Sequence, residues 1–188
     1  GKLRQDGVRS FLAARGIQLP EGDADDPPEF ETIHGLGNRK NQMVNQVIAA
    51  EGVELLPGAV ELVHALRDLE LRTAVVSASK NCRMVLQVAG IDSLFEVIVD
   101  GRVAARLGLA GKPSPATFLE PARQLGVDPI RSVVVEDAIS GVAAGRSGGF
   151  GLVVGVDHHD QPQALMDAGA DIVVKELSEL FEYLPTDH

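Results

Sequence analysis

Apolar positions along this 188-residue chain follow two rhythms, which change near residue 57. Before that point the spacing is helical or irregular, and no strand is predicted. Val8, Phe11 and Leu12 make a short apolar face, with Asp6 placed to cap its N-terminus and Gly16 to stop it. Residues 20–29 (PEGDADDPPE) read as an acidic, proline-rich loop. Met43, Val44, Val47 and Ile48 recur at helical spacing and predict a helix over 39–51, ended by Gly52. Pro57-Gly58 then marks a boundary between a first region, 1–57, and a second, 58–188.

From residue 58 helical patterns alternate with short apolar runs. Helices are predicted over 59–69, carrying Val60, Val63 and Leu66, and over 81–89, carrying Met84, Val85 and Val88. Three more fall over 115–125, 139–147 and 161–168. The intervening runs predict strands at 72–76, 95–99, 132–136, 151–155 and 171–174. Unbroken apolar strands between helices predict an α/β fold with a doubly wound parallel sheet, because such strands are buried on both faces. Ligands in these sheets bind beyond the C-terminal ends of the strands. Ser77 and the pair Glu136-Asp137 stand at two such ends.

Composition narrows the function classes. Hydrophobic content of 45% supports a packed core, and with 4% aromatics and no Trp that core must be aliphatic. A formal charge of −10 lacks the basic face that a nucleic-acid binder needs. The single cysteine, Cys82, excludes an internal disulfide and fits a reducing cytoplasm. No apolar run reaches the ~18 residues of a membrane span.

Three motifs carry candidate chemistry. Ser77-Ala78-Ser79-Lys80-Asn81 follows one strand, and its hydroxyl and backbone N–H groups can hold a phosphoryl oxygen where the next helix opens. Gly111-Lys112-Pro113-Ser114-Pro115 supplies a cation able to neutralise charge that grows as phosphoryl moves. Glu136-Asp137 offers hard oxygen ligands for Mg²⁺, provided the strand breaks so that both reach one side. Read singly, each has an ordinary structural explanation: a serine-rich helix cap, a surface lysine in a turn, an acidic helix cap. Gly111-Lys112 is no P-loop, since Pro113 stands where Ser or Thr is required. Gly35-x-Gly37 lacks the strand and third glycine of a dinucleotide site, and His158-His159 reads as a loop pair.

Taken in order, the three motifs resemble the haloacid dehalogenase superfamily of phosphatases and phosphomutases, and within it the β-phosphoglucomutase-like group with a small helical cap. The resemblance covers nearly the whole chain. It implies a Rossmann-like core over 58–188 and a partial helical cap over 1–57. It implies Mg²⁺ at Asp137 and Glu136, with Ser77 and Lys112 as catalytic groups and Ser79, Lys80 and Asn81 at the phosphate. Two cap signatures match as well. Gly1-Lys2-Leu3-Arg4 fits a Gly-x-x-Arg pattern whose arginine grips the distal phosphate of the sugar, and Arg39-Lys40-Asn41 makes Lys40 and Asn41 substrate contacts. The implied substrate is a small phosphosugar.

The group also carries an Asp-x-Asp at the end of its first core strand. The first Asp becomes phosphorylated and the second is the general acid/base. Asp6-Gly7-Val8 resembles the tail of that motif, but its first Asp would fall at Arg4 and no apolar strand precedes it. The expectation is that this chain begins inside the cap as a piece of a longer protein. The alternative is a divergent homologue without catalysis. Three functions remain open: a β-phosphoglucomutase-like mutase, a sugar-phosphate phosphatase, and a non-catalytic phosphosugar-binding remnant. The 188-residue chain alone is expected to turn over neither β-glucose 1-phosphate nor a small aryl phosphate. A steady-state assay on chain freed of any longer form checks this, and measurable turnover would place the nucleophile within these residues.

Overall fold

The computed structural model describes residues 4–185. The chain divides into two compact units, one running to Glu54 and the other starting at Leu55.

The first unit is a pair of helices, α1 (Arg4–Ala13) and α2 (Ile33–Glu51), packed on each other. Asp6 lies inside α1 and pairs with Arg9 one turn on, at 2.6 Å, so it does not cap the helix. Gly16 does end this segment, in the left-handed region at φ 66°. Helix α2 starts six residues before the predicted 39. Thr32 caps it by accepting from the Gly35 N–H, and Gly35 and Gly37 are buried. The side chains of Leu12 and Ile33 are buried in this unit, whereas Met43, Val44 and Val47 are exposed. The acidic loop is pinned to α2. Asn38 donates to the Asp26 carbonyl at 2.9 Å, and Arg39 Nε donates to the Pro28 carbonyl at 2.6 Å.

The second unit alternates helix and strand: α3 (Ala59–Asp68), β1 (Ala74–Val76), α4 (Cys82–Val88), β2 (Val97–Val99), α5 (Gly101–Leu107), α6 (Ala116–Leu125), β3 (Val133–Glu136), α7 (Ile139–Ser147), β4 (Leu152–Val156), α8 (Pro162–Asp167) and β5 (Ile172–Val174), closed by a 3-10 helix over Leu177–Tyr183. All strand pairings are parallel. They form two pieces, β1-β2 and β3-β4-β5, with no pairing between β1 and β3 among the described residues. Helix α6 packs on β1, β2 and α7. Strand β4 is covered on both faces, as the apolar runs predict, whereas β3 leaves Val133 and Val135 exposed on one face. Val153 packs with Val134, Val142, Phe118 and Leu165, while Val154 packs with Leu62, Val174 and Leu180. No helix is long and apolar enough to cross a membrane among the described residues.

Helix α5 was not predicted. Asp100 caps it, accepting from the N–H groups of Arg102 (3.0 Å) and Val103 (2.8 Å), and Gly108 stops it in the left-handed region. An aspartate between an apolar strand and a short helix is a readable signal. Helix α7 lies close on the sheet because it carries Gly145. A Cβ there would stand 3.2 Å from both Val134 Cγ1 and Val153 Cγ2. Gly145→Val should therefore lift α7 and cost about 1–3 kcal/mol by overpacking. Urea unfolding would show the loss as a lower midpoint at unchanged slope. An unchanged midpoint would mean that α7 can shift without cost.

Candidate active site

The chemistry-bearing motifs sit where their strands run out. The ladder of β1 ends as the Ser77 N–H donates to the Val99 carbonyl at 2.9 Å. The chain then turns on its own hydroxyls. Ser77 Oγ accepts from the Ser79 N–H, and Ser79 Oγ from the Asn81 N–H, both at 3.1 Å. These small side-chain turns stand in for a helix, and so Ser79, Lys80 and Asn81 precede α4 rather than form its first turn. Helix α4 has seven residues, under two turns, and adds little dipole at the loop. The Ala78 and Lys80 N–H groups have no hydrogen-bond partner among the described residues. A run of free N–H groups in a loop suits an anion. Cys82 sits beneath the loop; burial pushes its thiol up and a hydrogen bond with Ser77 opposes that.

Lys112 lies in the loop after α5. Its side chain is 7% exposed, stacks 4.6 Å from the Phe118 ring centroid, and forms a close ion pair with Glu136 Oε1. Burial pushes the ammonium down to about 8, and the charge of Asp137 opposes the shift. The other Glu136 oxygen accepts from the Ala138 N–H at 3.0 Å. Gly141, in the first turn of α7, makes this possible: a Cβ there would stand 2.1 Å from the Glu136 carboxyl carbon. Asp137 is exposed and forms no ion pair among the described residues.

The structure thus brings Lys112, Glu136 and Asp137 together at the end of β3. No hydrogen bond joins Ser77 to that group among the described residues, though Val76 before it packs on the same core as Val134. No group of three or more His, Cys, Asp or Glu able to hold a metal occurs among the described residues. Mg²⁺ commonly binds through one or two carboxylates, with waters and phosphate oxygens completing its shell. Asp137 fits that role with its oxygens uncommitted, and Glu136 is a second donor already shared with Lys112.

In the first unit Arg4 and Asn41 meet. Arg4 donates to Asn41 Oδ1 at 2.7 Å and to Asn38 Oδ1 at 3.4 Å. Buried Gly37 gives room for the arginine stem, since a Cβ there would lie 3.2 Å from Arg4 Cδ. Lys40 is exposed on α2. Gly1, which opens the Gly-x-x-Arg pattern, lies outside the described residues. Sequence reasoning missed the residues that surround the Ser77 loop. Gly101 N–H donates to the Ser79 carbonyl, and Arg102 Nε to the Lys80 carbonyl, each at 3.1 Å.

The sequence profile of the family described as haloacid dehalogenase-like hydrolase matches residues 2–149. A protein named beta-phosphoglucomutase from Mycobacterium bovis is 45% identical over 183 residues, covering 96% of this chain and 70% of its own length. A beta-phosphoglucomutase from Bacillus subtilis is 32% identical over 180 residues, covering 96% of this chain and 73% of its own. Among solved structures, beta-phosphoglucomutase from Clostridium difficile superposes with a TM-score of 0.78 at 26% identity, over 97% of this chain and 75% of that one. The chain belongs to the haloacid dehalogenase-like hydrolase family, in its β-phosphoglucomutase-like group.

Proposed function

We infer that the chain serves phosphoryl transfer on a small phosphosugar with Mg²⁺, as a β-phosphoglucomutase-like mutase that converts β-glucose 1-phosphate to glucose 6-phosphate. The observation that carries this reading is the cluster of Lys112, Glu136 and Asp137 at the end of β3, in a chain 45% identical to a named phosphomutase. A sugar-phosphate phosphatase would share every group at the transfer end. The two readings part at the far end of the substrate.

Asp137 would hold Mg²⁺, with Glu136 as a second oxygen donor. The ion would supply positive charge against the transferring phosphoryl oxygens. Ser77 Oγ and the free Ala78 and Lys80 N–H groups would hold one phosphoryl oxygen by hydrogen bonding. Ser79 and Asn81 would keep that loop turned, and the Lys80 ammonium would add charge at its rim. Lys112 would balance the negative charge that grows during transfer, and Glu136 would aim it. The first unit, which ends at Glu54, would serve as the cap, and the second as the core. Within the cap Arg4 would grip the distal phosphate, because a guanidinium matches phosphate bidentately. Asn41, hydrogen-bonded to Arg4, and Lys40 would orient the sugar.

Both tests below use this chain joined behind a strand that supplies an Asp-x-Asp. Lys112→Ala should lower kcat about 10²–10³-fold, the scale for losing one preorganised group that stabilises transition-state charge. Steady-state kinetics, with circular dichroism to show that the fold persists, would check this. A change confined to KM would assign Lys112 to ground-state phosphate binding.

Arg4→Ala separates mutase from phosphatase. It should cut kcat/KM for β-glucose 1-phosphate isomerisation by about 2–4 kcal/mol, the range for removing one partner of a desolvated charge pair. Hydrolysis of a small aryl phosphate, which has no second phosphate, should change little. Equal losses on both substrates would remove the two-ended grip and favour the phosphatase.

A further inference from the structure

The turn between β2 and α5 meets the Ser77 loop more closely than its own helix requires. Asp100, only 1% exposed, caps α5 by itself through its side-chain oxygen. That cap needs neither a glycine at 101 nor an arginine at 102. Gly101 is not among the residues with positive φ, so its backbone conformation is open to any residue. What glycine gives here is space. A Cβ at 101 would stand 2.5 Å from the Ala78 carbonyl oxygen and 3.1 Å from the Lys80 nitrogen. Both are backbone atoms, which cannot rotate away as a side chain can.

Into that space comes a second set of contacts. Gly101 N–H donates to the Ser79 carbonyl at 3.1 Å. The exposed Arg102 side chain folds back, and its Nε donates to the Lys80 carbonyl at 3.1 Å. Two successive carbonyls of the loop are thereby drawn to the turn. A peptide plane carries its N–H opposite its carbonyl, so binding the Ser79 carbonyl also fixes the plane that bears the Lys80 N–H, and binding the Lys80 carbonyl fixes the plane whose Asn81 N–H donates to Ser79 Oγ. Ala78 and Lys80 hold the N–H groups without hydrogen-bond partners in this loop. A rotated peptide would instead present a carbonyl oxygen, which repels an anion.

We propose that Gly101 and Arg102 are positioning residues for phosphate binding: Gly101 clamps the Ser79 carbonyl so that the Lys80 N–H faces the phosphoryl oxygen, and Arg102 clamps the next peptide, whose N–H closes the turn onto Ser79 Oγ and so holds the loop in that shape. This rests on the reading of the Ser77 loop as the phosphate loop. The clamp touches no substrate and acts only through the loop's backbone.

Titration with inorganic phosphate at constant ionic strength tests it, read from the amide ¹H–¹⁵N shifts of residues 77–81. In the unaltered chain the Ala78 and Lys80 amides should shift and saturate. Gly101→Ala should weaken the phosphate Kd roughly five- to tenfold, the scale of one hydrogen bond lost. Arg102→Gln should weaken it by a similar factor, and Arg102→Lys, which keeps a donor on a long stem, should restore most of the affinity. A purely structural role would lower the thermal midpoint of these variants and leave Kd alone. If the unaltered chain binds phosphate at 77–81 while both Arg102→Gln and Gly101→Ala keep its Kd, the clamp is overturned and the phosphate loop stands. If phosphate shifts no amide of 77–81 in the unaltered chain, the phosphate loop fails and the clamp with it. Should Gly101→Ala not fold, the Arg102 pair decides alone.

Discussion

A lysine with a side chain only 7% exposed must have a counter-charge, and Lys112 has found it in Glu136. Much of the second unit is arranged around that need. The loop after α5 must bring the ammonium to the end of β3. The strand must stop so that Glu136 can turn inward. The first turn of α7 must carry Gly141, since any side chain there would strike the carboxylate. The pair is close and nearly dry, so its two members are not independent. Removing one partner of such a pair generally costs about 3–5 kcal/mol, because the other is left charged and buried. The loop after α5 and the end of β3 are therefore bound to each other through this pair.

The strands of the second unit were legible in the residues because parallel strands are buried on both faces. Leu152–Val156 reads as a plain apolar run for that reason, while Val133–Glu136 reads the same way although Val133 and Val135 are exposed. Helix α5 was less visible. Its seven residues hold too few apolar positions to show a period, although Asp100 and Gly108 mark both its ends. The early start of α2 was hidden by Gly35 and Gly37, which weaken a helix by propensity. They are tolerated because they are buried against close neighbours, the Phe30 carbonyl and the Arg4 stem. The apolar face of Met43, Val44 and Val47 gave the right helix, yet it is exposed, since periodicity reports a face and not what covers it. At the site, residue types and order pointed to Ser77, Lys112, Glu136 and Asp137. The contacts that fix them came from Gly101, Arg102, Ala138 and Gly141. Gly101, Ala138 and Gly141 act through backbone atoms or through bare space, neither of which has a side-chain signature, and Arg102 reaches a backbone carbonyl that the residue order does not reveal.

The two pieces of sheet differ in how they are held. In β3-β4-β5, pairing and packing on both faces act together at the central strand β4, where Val153 and Val154 are almost fully buried. The pair β1-β2 leans on α6, which touches both of its strands and also α7. Helix α6 thus joins the serine loop's strands to the helix that seats Glu136. Its Phe118 lies under the Lys112 ammonium and edge-on to Phe150, with centroids 6.0 Å apart. One helix face therefore serves as floor to the lysine and as core to the sheet.

The hydrogen bond between Arg4 and Asn41 has an evolutionary consequence. It ties α1 to α2 inside one compact unit, while the strands that carry Ser77, Glu136 and Asp137 belong to the other. Residues that would recognise the remote end of a substrate thereby share a unit of their own. Substitutions at positions such as 4, 38 and 41 can be sampled without unpicking the buried charge pair or the serine loop. A lineage built this way can change what it accepts while conserving how it reacts.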